Sequence, residues 1–120
     1  MEMFEQVYEQ LREILKAVET PRLKVQETKG AYSLNGPYSE KWKKELFFGA
    51  AQIKKNYVSF YLMPVYMYPD LLDGISPKLK ARMQGKSCFN FKKADPAIFA
   101  ELAELTRRAL ERVRKDEGLL

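Results

Sequence analysis

Two stretches of the chain repeat apolar residues at three- and four-residue spacing, and between them the pattern changes to alternation. Residues 2 to 19 place Phe4, Val7, Tyr8, Leu11, Leu15 and Val18 on one helical stripe, which Thr20-Pro21 ends. Residues 95 to 116 repeat that spacing with Ile98, Phe99, Leu102, Leu105, Ala109 and Val113. Asp95 suits an N-cap, Pro96 suits the first helical position, and Gly118 lies just past the end. Both helices need an apolar surface to cover, and the middle of the chain must supply it.

Residues 23 to 34 alternate and break at Lys29-Gly30, which predicts two short strands and a turn, with Asn35-Gly36-Pro37 as a loop beyond them. Residues 46 to 54 and 57 to 63 predict a hairpin about Lys55-Asn56, because Asn tolerates the left-handed backbone of a tight turn. In that register Ile53 pairs with Val58, Ala51 with Phe60 and Gly49 with Leu62. All six then share one apolar face. The other face carries Gln52, Lys54, Tyr57, Ser59, Tyr61 and Met63.

Past Pro64 the chain reads as a loop with a turn of helix. Ser76-Pro77 then starts a short helix, with Leu79 and Met83 apolar and Gly85 as its stop. Residues 86 to 92 form a final strand, with Phe89 and Phe91 in the core and Lys86, Cys88, Asn90 and Lys92 opposite. The expectation is one α+β domain over residues 1 to 120. It is a two-layer sandwich: an antiparallel sheet with N- and C-terminal helices on one face, plus a short helix before the last strand.

Composition narrows the chemistry. Hydrophobic residues at 46% and charged residues at 31% are ordinary for a globular domain. There is no histidine, which removes Ser-His-Asp and Cys-His catalysis and histidine-bound zinc. One cysteine, Cys88, allows no internal disulfide and no iron–sulfur cluster within one chain, and it suits a reducing compartment. The opening MEMFEQVYEQ is acidic and lacks the basic region and apolar run of a secretory signal. A cytoplasmic location, with no membrane partner, is the expectation.

The net charge of +5 is unevenly spread. Residues 1 to 19 carry −3 and residues 95 to 120 carry −1, which leaves +9 for residues 20 to 94. Within residues 74 to 94, Lys78, Lys80, Arg82, Lys86, Lys92 and Lys93 meet no acid at all. Such a surface attracts anions, although clustered lysines also serve solubility alone. The predicted open face joins this charge to Tyr57, Ser59, Tyr61, Cys88 and Asn90, with Lys54, Lys86 and Lys92 beside them. Tyrosine offers a flat ring and a hydroxyl, lysine a charge, and Ser and Asn directional hydrogen bonds. Lys78, Lys80 and Arg82 would form a basic lip if residues 64 to 85 fold across that face.

Other constellations fail on spacing. Gly85-Lys86-Ser87 looks like the end of a phosphate-binding loop, but the glycine needed five residues earlier is Lys80, and a strand follows instead of a helix. Cys88 beside Lys86 is a candidate thiolate, with no resolving cysteine and no histidine to complete a redox or hydrolytic set.

At Lys54-Lys55-Asn56-Tyr57-Val58-Ser59-Phe60-Tyr61-Leu62-Met63-Pro64-Val65-Tyr66 the chain resembles the YdhG-like family of small bacterial domains. Ser76-Pro77-Lys78-Leu79 and Gly85-Lys86-Ser87-Cys88-Phe89-Asn90-Phe91 extend the resemblance, which spans roughly residues 45 to 110. Most members of that family have no assigned function. One relative is described as an iron chaperone with a frataxin-like fold, in which two helices cover one face of an antiparallel sheet. The resemblance therefore suggests iron, and Glu2, Glu5, Glu9 and Glu13, at helical spacing, are the carboxylates that would hold it. The leading expectation is a non-catalytic domain, with no cofactor, that binds an anionic small ligand or an acidic or nucleic-acid partner through the basic, tyrosine-bearing face. An iron chaperone and a protein-interaction subunit, homodimeric or otherwise, are the alternatives.

Overall fold

The computed structural model describes residues 2–117, and its elements run in the order expected. Helix α1 (Glu2–Lys16) leads into β1 (Lys24–Thr28), β2 (Ala31–Ser39), β3 (Lys44–Ile53) and β4 (Val58–Leu62). A short α2 (Pro64–Met67), a 3-10 turn at Pro69–Leu72 and α3 (Pro77–Lys80) precede β5 (Cys88–Phe91) and the long α4 (Pro96–Glu117). The five strands form one antiparallel sheet in sequence order. This is the α+β two-layer architecture that the periodicity predicts. The predicted helix stop at Gly118 lies outside the described residues.

The central hairpin has the register read from alternation: Gly49 faces Leu62, Ala51 faces Phe60 and Ile53 faces Val58. On β5, Phe89 pairs with Phe60 and Phe91 with Val58, so the apolar face continues to the sheet edge. The turn itself differs. Lys54 N–H donates to the Tyr57 carbonyl at 2.8 Å, yet neither Lys55 nor Asn56 adopts a positive φ. A left-handed backbone would have strained Lys55, which has a Cβ and no compensating side-chain bond. Lys43, at φ 57°, is the one described non-glycine residue there, in the β2–β3 turn.

Asn35-Gly36-Pro37 is strand and not loop. Strand β2 continues to Ser39 with two register shifts against β3, one at Leu34/Asn35 and one between Asn35 and Tyr38. Its pairing with β1 stops at Asn35, so Pro37 lies where β2 has no strand on its other side and loses no ladder bond. The first shift leaves Phe48 as an extra residue opposite Leu34/Asn35. That resets the alternation of β3, so that Leu46, Phe48 and Ala51 all join the core.

Above this face lie α1 and α4. Val7, Leu11 and Leu15 of α1 are buried with Tyr32, Leu34, Phe60 and Leu62 of the sheet. Leu15 of α1 packs over Gly49, where an added Cβ would stand 2.7 Å from the Tyr61 carbonyl oxygen and 3.1 Å from Leu15 Cδ2. Phe99 of α4 meets Phe91 edge to face at 5.0 Å. Asp95 caps α4 as expected, its Oδ1 accepting the Ile98 N–H at 3.2 Å.

Residues 64 to 80 pack on α4 and leave the second sheet face without a helix. Val65, Leu71 and Leu79 are buried in the same core. Arg112 of α4 binds Asp70 at 2.7 Å and lies 4.4 Å from the centre of the Tyr68 ring. Each large side chain in the core contributes roughly 1.5–3 kcal/mol, against about 1 kcal/mol or less for an exposed ion pair. The core therefore holds the fold, and Arg112–Asp70 helps to fix where the connecting segment lies.

Two outcomes are expected. Gly49→Ala should destabilise the domain by about 1–3 kcal/mol in urea unfolding, because neither the backbone carbonyl nor α1 can retreat freely. The Arg112 guanidinium holds the Asp70 carboxyl below its ordinary range. Its stabilisation is then complete above that range and lost as pH falls through the depressed native value. Thermal midpoints of the wild type and Asp70→Asn should therefore differ at neutral pH and converge in acid once the pH falls below the depressed native range; a constant gap would show that the pair does not act.

Candidate functional site

The acid-free basic run converges on one groove. Ser76 caps α3, its Oγ accepting the Leu79 N–H at 3.2 Å, while its own N–H and hydroxyl donate to the two carboxylate oxygens of Glu101 at 2.6 Å each. Glu101 belongs to α4, so the start of α3 is tied to that helix. Leu79 is fully buried, which seats α3 against the core. The chain then runs along the free edge of β5: Asn90 N–H donates to the Arg82 carbonyl and Gln84 N–H to the Cys88 carbonyl, both at 2.8 Å. Past Phe91 the strand ends and Lys92-Lys93 turn toward α4.

Where these three pieces meet, a groove of about 620 Å³ opens, edged by Lys78, Arg82, Lys92 and Lys93. Phe91, Ile98 and Ala81 supply its apolar lining. Asp95 is the one acid there, and its carboxylate is engaged as the α4 cap. None of the four cations forms an ion pair among the described residues. Three arginines elsewhere do have acids beside them: Arg12 meets Glu27, Arg107 meets Glu104 and Glu111, and Arg112 meets Asp70 and Asp116.

The second sheet face holds most of the other predicted residues, and they bind one another. The pairs Ser59–Asn90 and Tyr61–Cys88 stand directly across β4 and β5. Ser59 Oγ donates to Asn90 Oδ1 at 2.9 Å, and the Cys88 thiol approaches the same oxygen at 3.4 Å. Ser59 is buried although no helix lies over it. Lys54 Nζ stands 6.0 Å from the Tyr61 ring centre and Lys86 Nζ 5.8 Å from that of Tyr66, both cation–π distances. Tyr57 sits half-buried just before β4.

The predicted set is thus divided. Lys92, Lys78 and Arg82 meet in the groove; Lys80 is exposed on α3 outside its lining. The segment that carries the predicted lip packs on α4. Lys93 edges the groove without having been singled out; its signal was its place beside Lys92 in the acid-free run.

On Cys88 the electrostatics differ from the expectation. Burial raises its pKa, and the partial offset comes from Ser59, Lys54 and Tyr61 rather than from Lys86. On α1, Glu5, Glu9 and Glu13 are exposed, and Glu5 and Glu9 edge a hollow of about 680 Å³ with Gln6, Gln10 and Lys29. The Glu2 side chain lies outside the described residues. Among those described, no three Cys, Asp or Glu residues gather in a way that could hold a metal ion. Nor is any described helix long and apolar enough to cross a membrane.

Comparisons with protein-family models, curated proteins and solved structures find no match to this chain.

Because burial keeps the Cys88 thiol protonated, its alkylation by iodoacetamide at pH 7.5 should run slower than that of a free cysteine and speed up on unfolding. A faster rate in the folded protein would mark an activated thiol.

Proposed function

We propose that the domain is a non-catalytic binding module that recognises an anionic ligand or partner through the groove between α3, the end of β5 and the start of α4. One observation carries this reading: four cations with no ion pair among the described residues edge a single groove that contains one acid, already used as a helix cap. Cations placed together without counterions repel one another, and a bound anion relieves that cost. On the tyrosine-bearing face, by contrast, Ser59, Asn90 and Cys88 are mutually bonded, and Lys54 and Lys86 lie over rings. That face supports the site as a scaffold. A relationship to the YdhG-like domains is part of the proposal, and two terminal helices over one sheet face are in keeping with it.

Charge reversal separates the groove from general basicity. Lys78→Glu with Arg82→Glu should elute from a heparin column at clearly lower salt than Lys24→Glu with Lys55→Glu, which changes net charge equally at exposed positions elsewhere. Equal elution of the two double variants would remove the groove as the anion site.

A further inference from the structure

Resting on that reading, we infer that the groove takes a small organic polyphosphate, of the size and charge of a nucleoside triphosphate, rather than a nucleic-acid strand or an acidic protein surface. Three features point there. The first is size. About 620 Å³ lies within the range of roughly 300–1,000 Å³ that holds small molecules, and all four cations stand around that one volume. A polymer backbone is instead tracked by charges spread along a path. No such path leads across the neighbouring sheet face, where Lys54 and Lys86 are turned over Tyr61 and Tyr66.

The second is charge count. Lys78, Arg82, Lys92 and Lys93 against Asp95 leave three positive charges, which a phosphate chain balances and a single carboxylate does not. Arg82 adds a planar fork of N–H donors that fits two oxygens of one phosphate group. The third is the apolar lining. Ala81 is exposed there, with the buried Phe91 and Ile98 forming the floor behind it, and such a surface offers nothing to inorganic phosphate but favours an organic body attached to it.

Calorimetric titration at 50 and 150 mM salt with ATP, pyrophosphate, adenosine, a dT oligonucleotide and an oligo-glutamate peptide tests this on the whole chain. ATP should bind most tightly, pyrophosphate less so and adenosine not at all. Arg82→Ala should weaken ATP binding about tenfold, the loss of one charged hydrogen-bonding group. Asp95→Asn keeps the helix cap while removing the acid, and should tighten ATP binding several-fold. Circular dichroism of each variant separates these effects from unfolding. Pyrophosphate binding as tightly as ATP would overturn the organic part of the inference, as would an unchanged affinity in Asp95→Asn for the groove itself. Binding of the oligonucleotide or peptide without ATP would overturn the inference and leave the anion-binding groove standing. If none of the five binds, both readings fall.

Discussion

Helix α4 has a wide apolar surface and only one way to bury all of it. Ile98, Phe99, Leu102, Leu105, Ala109, Leu110 and Val113 are all buried, which is more than a single stripe against the sheet requires. One part of that surface meets Phe91, α1 and the sheet; another receives the segment from Pro64 to Lys80. Because α4 needs both partners, the connecting segment is held on the helical layer. Arg112–Asp70 and Glu101–Ser76 fix it there with polar contacts that the sheet could not offer. The open second face and the groove at the start of α4 are both consequences of that one packing demand.

The groove also shows how a fold can gather charge without a dedicated loop. Lys78 and Arg82 arrive on a short helix capped by Ser76, and Lys92 and Lys93 follow a strand that must end where α4 begins. Each basic pair is exposed for local reasons. They face one another because Leu79 and Phe91 are both drawn into the same core. A self-repelling arrangement of this kind costs some stability, and proteins retain such sites where a ligand repays it.

The polar cluster on the sheet face has a different character. Ser59, Asn90 and Cys88 share hydrogen bonds at Asn90 Oδ1, and Ser59 is buried although no helix covers it. Satisfied polar groups on a strand rigidify the sheet and fix its register. Residue types that suit a binding face can equally suit a self-contained one, and only their partners tell the two apart.

Much of the architecture was legible in the chain. Alternation in β3 and β4 determined which residues face the core, because a one-residue slip would have exposed Phe60 and Leu62 together. Asp95-Pro96 and Ser76-Pro77 marked helix starts through chemistry local to a few residues, and the acid-free run announced where basicity lies. What the chain could not disclose depends on contacts distant in sequence. Proline at position 37 is a loop signal until β1 is known to end its pairing at Asn35. Simple alternation puts Phe48 on the face away from the core until the register shift opposite Leu34 turns it inward. Above all, the meeting of Lys78 and Arg82 with Lys92 and Lys93 was decided by the tertiary structure. The local pattern says which face of each element is apolar, but only the competition among all those faces for one core decides which elements become neighbours.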